Sequence, residues 1–282
     1  MIDVELLRLW LAEDIGEMDI TTEALIGADQ KIIAEVRAKQ PGVSCGFELM
    51  GEIAAALGFR LEEQSFEADG RSLVKGQVVA RFSGSYAGLL KAERTYLNLV
   101  QHLCGVASIT ARYAKAVAHT RAKILDTRKT IPGLRVLDKR AVLAGGGMNH
   151  RMGLYDAFLI KENHIETFRR LPNPFLTAIE TARRFISNRP VIIEVQNFNE
   201  CEQALDGLPE VILLDNMSCA EMNKAVKLVE KQGLTVQLEA SGGITLDTVA
   251  EVAETGVHRI SIGAITHSAM PLDLSMLMLA RV

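Results

Sequence analysis

From residue 123 onward the chain repeats one pattern: a short apolar run, a polar or small residue closing it, then a stretch of helical periodicity. The runs are KILD (123–126), FLIK (158–161), VIIEV (191–195), VILLD (211–215), VQLEA (236–240) and RISIG (259–263). Between them lie segments such as LTAIETARRFI, AEMNKAVKLVEKQG and LDTVAEVAETG. Continuous apolar runs this short are what a strand buried on both faces looks like. Strands alternating with helical segments predict a parallel sheet with its helices outside, closed as a barrel. Six runs rather than eight predict an incomplete barrel. In α/β barrels the C-terminal strand ends and the loops after them make the active site. Asp126, Lys161, Glu194, Asp215, Glu239 and Gly263 are therefore expected to converge on one mouth.

The block between the first two runs carries the densest chemistry: DTRKTIPGLRVLDKRAVLAGGGMNHRMGLYDAFLIKENH, residues 126–164. It contains Arg128, Lys129, Arg151 and Lys161 together with His150 and His164. Two strands that end on cations, with a GGGMNHR loop between them, predict a concave site for a small polyanion, because guanidinium forks and ammonium points suit carboxylates and phosphates. Any one of these charges could as well be a solvated loop end; the cluster as a whole is harder to read that way. The formal net charge is −4, so the overall balance does not point to nucleic acid or an anionic membrane. The basic cluster is local.

Glu194 and Asp215 sit inside or just after an apolar strand, where a lone charge is costly. Two partners are open: Arg128 or Lys161, or a polyphosphate reached through Mg²⁺ and its waters. Glu239 falls in the same layer, with a structural role equally open. In EASGGITLDTVAEVAETG a strand runs into Ser241, Gly242 and Gly243, and a helix is expected to start near Thr245 or Leu246. RISIGAITHS repeats the pattern more weakly with Gly263 and Ala264. Glycines let backbone N–H groups approach phosphate oxygens. Two such loops after the last two strands match the phosphate-binding arrangement of α/β barrels. This equipment suits a phosphorylated sugar plus a di- or tricarboxylate, and spacing alone goes no further.

A chain of 282 residues, 48% hydrophobic, has room for a barrel-sized domain and a smaller one. In the first third, Leu6, Leu7, Trp10 and Leu11 recur at helical spacing. A strand is expected over 31–43, ended by Pro41 and Gly42, and FELMGEIAAALG reads as a helix stopped by Gly58. SLVKGQVVARFSG reads as a hairpin around Gly76. A strongly periodic helix spans 86–102, with Gly105 as its stop and a second helix in VASITARYAKAVAHT. By spacing, Arg94 beside Glu93 and Asn98 belongs to a packing helix with a surface ion pair. The opening MIDVELLRLWLAEDIG carries acids among its apolar residues, unlike a secretory signal, and no apolar run approaches the ~20 residues that span a bilayer. Cys45, Cys104, Cys201 and Cys219 are dispersed, with no C-x-x-C pair. They are expected to be reduced thiols of a cytoplasmic protein.

At these residues the sequence resembles the quinolinate phosphoribosyltransferase family over nearly its whole length. The resemblance is carried by LAEDIGEMDITT, KAERTYLNLVQHLCGVAS, DTRKTIPGLR, GGGMNHRMGLYDAFLIKENH, LLDNM, EASGGI and SIGAITHS. It implies a six-stranded α/β barrel over 106–270 with an N-terminal α+β sandwich domain over 1–105, against which 271–282 packs back. It implies that quinolinate and phosphoribosyl pyrophosphate, with Mg²⁺, give nicotinate mononucleotide, pyrophosphate and CO₂, in de novo NAD biosynthesis. Arg128, Arg151 and Lys161, with Lys129 and His150, would hold the two quinolinate carboxylates and part of the pyrophosphate. Lys129, Lys161, Glu194 and Asp215 would be the catalytic group, with Glu194 and Asp215 near the ribose and the metal. Ser241, Gly242, Gly243, Gly263 and Ala264 would form the 5′-phosphate loops. Arg94 would reach the site of a neighbouring subunit in a homodimer or higher homo-oligomer, which replaces the surface-pair interpretation. One departure is visible: where the family often carries alternating acids, this chain has Ile192 before Glu194.

Three other functions remain at this stage. A barrel of the same kind could act on nicotinate without decarboxylation, which CO₂ release would separate. Lys161 could be a Schiff-base lysine, which borohydride would trap. A non-catalytic barrel would bind phosphoribosyl pyrophosphate without turnover.

Overall fold

The computed structural model describes residues 2–27 and 29–279. They form two compact units. The first takes in the chain up to Ala111, then Ile131–Gly146, then the chain from Thr266; the second is Arg112–Thr130 with Gly147–Ile265. This differs from one cut after residue 105. The helix Arg135–Ala144 is the reason: it buries Leu137, Ala141 and Val142 in the first unit. It also offers Arg140 to Glu48 and Asp69, and Asp138 to His102.

In the first unit an antiparallel sheet runs in the order Leu274–Leu279, Lys31–Ala38, Val78–Ser85, Leu61–Phe66. Ile32, Ala34, Val36 and Ala38 are buried at every second position of the second of these strands, the period of a sheet face turned to a core. The returning strand pairs Leu274 with Ala38; residues 280–282 of the segment expected to pack back lie outside the described residues. The expected hairpin around Gly76 does not form. Ser72–Leu73 pairs with Gly42–Val43 instead, because the Gly76 N–H and the Gln77 carbonyl are taken by Ala38 of the central strand.

The helix Tyr86–Ala116 does not stop at Gly105 but runs unbroken for 31 residues. Gly105 is there for space: a Cβ at that position would lie 2.3 Å from the Met270 carbonyl oxygen. Spacing registers a glycine in either case, and a close backbone approach is invisible to it.

The second unit is a six-stranded parallel sheet in the order Lys123–Leu125, Arg259–Ser261, Gln237–Ser241, Val211–Asp215, Val191–Val195, Phe158–Ile160. The first and second strands in the chain are its two edges, so the barrel is open, as six runs predict. All five residues of Val191–Val195 are buried, as a strand covered on both faces requires; each fully buried large aliphatic side chain contributes about 1.5–3 kcal/mol. The helices Pro174–Phe185, Phe198–Leu205 and Cys219–Lys231 face the sheet with stripes such as Met222, Ala225, Val226 and Val229. After Ser241 the helix begins at Val249 rather than near Thr245, because Thr245 to Thr248 form a turn closed by the Thr248 hydroxyl. No described helix is long and apolar enough to cross a membrane.

Candidate active site

The strand ends position the site because alternate residues point to the same side of a sheet. Leu159 and Lys161, Leu213 and Asp215, and then Glu194, Ser241 and Ser261 all line one cleft of ≈ 370 Å³ in the second unit, with Thr127, Arg128, Lys129, His150 and Arg151. Register aligns the rim: Ser241 pairs with Asp215, and Glu239, two residues earlier, pairs with Leu213 and Arg259.

Asp126 is not at the mouth. It is fully buried, and its Oδ1 accepts from the His150 N–H at 2.8 Å, which ties the glycine-rich loop to the strand end. The Met148 N–H and carbonyl complete that tie through Ile124 and Asp126. Arg128 and Lys129, directly after the strand, are exposed. Arg151 is half-buried; its Nη1 donates to the Ala157 carbonyl at 3.1 Å and its backbone N–H to His150 Nδ1 at 2.7 Å. Burial pushes the Arg151 pKa down, the neighbouring Arg128 pushes it further, and Asp156 opposes them. An anionic ligand beside Arg151 opposes both of the first two effects by its charge.

Lys161 donates from Nζ to Glu194 Oε2 at 2.7 Å, so the first of the two partners left open by the sequence is present. Asp215 is half-buried at its strand end and accepts from the Asn216 side chain at 2.9 Å. Asn216 in turn donates its N–H to the Ser241 carbonyl, joining the two rims. Gly242 must be glycine twice over: φ is +102°, and a Cβ would lie 2.1 Å from Asn216 Oδ1. No described residue accepts from the N–H groups of Gly242 or Gly243, which leaves two donors beside the Ser241 hydroxyl. Gly263 and Ala264 follow Ser261 at the end of the adjacent strand.

Glu239 is not in the rim layer. It lies one layer deeper with no exposed surface, and its Oε2 accepts from Arg259 Nε at 2.7 Å. Burial pushes its pKa up, but His150, Arg259 and Ser261 outweigh this and hold the carboxyl below the usual carboxylate range. Arg94 belongs to the first unit, where it is exposed on the helix Tyr86–Ala116 and no described residue pairs with its guanidinium. Its expected surface ion pair is absent among the described residues.

Sequence reasoning thus brought Arg128, Lys129, His150, Arg151, Lys161, Glu194, Asp215 and Ser241 to one cleft. It missed Thr127, Leu159, Leu213 and Ser261. The signal for the last three was available: each stands two residues before a predicted site residue, on the same strand face. As to a metal, no group of three or more His, Cys, Asp or Glu that could hold one occurs among the described residues. Glu194 and Asp215 supply two hard oxygen donors on adjacent strands. That suits a Mg²⁺ whose other positions are filled by water and ligand oxygens, not a closed protein cage.

An open α/β barrel whose mouth gathers guanidinium and ammonium groups opposite two carboxylates and a glycine turn with unclaimed amides belongs to the class of barrels that handle phosphorylated, multiply anionic small molecules. Within that class the comparisons are specific. Residues 19–104 match the N-terminal domain, and residues 106–277 the C-terminal domain, of quinolinate phosphoribosyl transferase. The chain belongs to that family. It is 40% identical over 272 residues to a probable nicotinate-nucleotide pyrophosphorylase (carboxylating) of Synechocystis, covering 96% of this chain and 90% of that one. It is 38% identical over 275 residues to the nicotinate-nucleotide pyrophosphorylase (carboxylating) of Mycobacterium leprae, covering 96% and 95%. Among solved structures, the nicotinate-nucleotide pyrophosphorylase of Francisella tularensis superposes with a TM-score of 0.89 at 35% identity, over 99% of this chain and 98% of that one.

Proposed function

We propose that this chain is a carboxylating phosphoribosyltransferase of NAD biosynthesis: quinolinate and phosphoribosyl pyrophosphate give nicotinate mononucleotide, pyrophosphate and CO₂. The observation that carries it is the single cleft in which Arg128, Arg151 and Lys161 face Glu194, Asp215 and Ser241. Its ≈ 370 Å³ lies within the range of small-molecule sites, roughly 300–1,000 Å³.

Arg128, Arg151 and Lys161, with Lys129, grip the two carboxylates of the pyridine diacid and part of the pyrophosphate. The Ser241 hydroxyl and the amides of Gly242 and Gly243 hold the 5′-phosphate, with Gly263 and Ala264 on the next loop. Glu194 and Asp215 stand by the ribose, where positive charge develops at C1 as pyrophosphate leaves. Fixed charges aimed at that centre and at the leaving group lower the barrier without reorganising. Glu194 and Asp215 are the residues that would hold a Mg²⁺, which would supply charge neutralisation for the leaving group. Attack by the ring nitrogen makes a pyridinium. That charge stabilises the carbanion left when the adjacent carboxylate departs as CO₂, a proton from solvent then takes the carboxylate's place on that carbon, and Lys161 need not form a Schiff base.

Arg94, exposed and without a described partner, completes the cleft of a second copy in a homodimer or higher homo-oligomer. Four free thiols accord with a cytoplasmic setting. The test is one coupled assay with quinolinate and phosphoribosyl pyrophosphate, with and without magnesium, following CO₂. Magnesium-dependent release of CO₂ in step with nicotinate mononucleotide is the expected result. Turnover of nicotinate without CO₂, or a borohydride-trapped Lys161, would overturn the assignment.

A further inference from the structure

Glu239 is a charged side chain that the proposed chemistry does not use, set inside the barrel beneath the cleft with no exposed surface. A carboxylate taken fully out of water is costly unless it is paired, so its partners bear on why it is there. Oε2 accepts from Arg259 Nε at 2.7 Å. Oε1 lies 3.3 Å from His150 Nε2, close enough for an electrostatic contact, and no described donor is aligned on it as a hydrogen bond.

The other side of the His150 ring decides the matter. Nδ1 accepts the Arg151 N–H at 2.7 Å, and a ring nitrogen that accepts carries no proton. The imidazole proton therefore sits on Nε2, the nitrogen turned to Glu239. The bond at Nδ1 selects the tautomer, and the group that the resulting Nε2–H faces is the buried carboxylate. At the same time the His150 N–H is held by Asp126 Oδ1 at 2.8 Å. Two buried acids thus flank His150: Asp126 holds its backbone N–H, Glu239 faces its ring, and the ring in turn holds the backbone N–H of Arg151, which lines the cleft.

We propose that Glu239 is a positioning residue for the diacid subsite: through the Nε2–H tautomer of His150 it sets the backbone at Arg151, and so the place where that guanidinium meets a carboxylate. This rests on the functional assignment above. An ion pair that served only to satisfy Arg259 would leave the ring of His150 indifferent to it and would weaken both substrates alike, through stability.

Two measurements test it. In ¹⁵N-labelled wild-type protein without substrates, the ring nitrogens of His150, assigned by comparison with His150→Gln, should show Nε2 protonated and Nδ1 bare at neutral pH. A protonated Nδ1 overturns the proposal whatever the enzyme does. In Glu239→Gln, whose amide can either accept or donate, that preference should relax. KM for the pyridine diacid should rise on the order of tenfold, the loss expected of one hydrogen bond to a charged group, with KM for phosphoribosyl pyrophosphate unchanged. Equal shifts in both KM values, or none, would refute it. If Glu239→Gln does not fold, Glu239→Asp, which keeps the charge and withdraws it from the ring, replaces it in both measurements, and a protonated Nδ1 in the wild type still overturns the proposal. If the protein does not turn over quinolinate at all, the kinetic arm reports on the functional assignment and the ring spectrum alone reports on Glu239.

Discussion

Lys161 donates from Nζ to Glu194 Oε2 at 2.7 Å, the lysine side chain 48% exposed and the acid 9%. This cation of the cleft is thus held by the acid of the neighbouring strand. An arriving carboxylate must share Lys161 with Glu194 or take it. Lys161→Ala removes a substrate contact and also leaves Glu194 shielded from water without its partner. We expect kcat/KM to fall by a factor worth about 2–5 kcal/mol, the range for removing the partner of a buried charge. Glu194→Gln should fall less, since its loss also frees Lys161. The double variant should fall short of the sum by roughly 0.5–3 kcal/mol, the coupling of residues in contact. Additive losses in steady-state kinetics would mean that the pair does not act as a unit.

Arg151 carries the opposite strain. Burial and the nearby Arg128 both work against its charge, so the cleft holds two cations that repel each other. Arg151→Ala should cost about 2–5 kcal/mol in diacid binding or kcat/KM while leaving the melting temperature nearly unchanged, because the repulsion it relieves offsets the lost bond to the Ala157 carbonyl. Turnover near wild type would refute its place in the subsite. A collapse in melting temperature would make it a structural residue.

The difference between these two residues and Glu239 shows what the sequence could and could not convey. The six apolar runs determine the strands, and alternation along each strand puts Lys161, Glu194, Asp215 and Ser241 on one side, so the rim was legible. Depth was not. Glu239 and Asp126 end apolar runs just as Asp215 does, but the number of residues between a run and its rim differs from strand to strand, and only register supplies it: Ser241, not Glu239, pairs with Asp215. The same limit explains Gly105 and Gly76, whose neighbours, Met270 and Ala38, are remote in the chain. It also explains why Ile131–Gly146, embedded in the most basic stretch, belongs to the first compact unit.

Glu239 also predicts a pH dependence. Its carboxyl is held below its usual value of 4.5 in the folded state. A depressed folded pKa stabilises the native state above the unfolded pKa, and that contribution is lost as pH falls through the folded value. Asp156 behaves in the same way: burial raises its pKa, but the Gly153 and Met152 amides more than compensate. Thermal stability should therefore hold level from neutrality down to about pH 5 and decline below it. Glu239→Gln should start lower and decline less steeply over the acid range. A parallel decline in both proteins would show that Glu239 is not one of the groups titrating.

Arg94 gives the test that reaches beyond one copy of the chain. Its guanidinium is exposed, on a helix whose other face is packed with Ala92, Tyr96 and Val100, and no described residue pairs with it. Removing it should cost little stability, as for most exposed charges. If it completes the cleft of a second copy, Arg94→Ala and Arg151→Ala should each be nearly inactive alone, yet active when co-assembled. In a two-fold dimer, a mixed pair has one cleft that receives both lesions and one that receives neither. With random pairing, half the dimers are mixed and half of their clefts are intact, so activity should recover to about a quarter of wild type. No recovery after unfolding and refolding the two variants together, with exchange confirmed by mass, would place Arg94 in its own subunit's chemistry or outside the chemistry altogether.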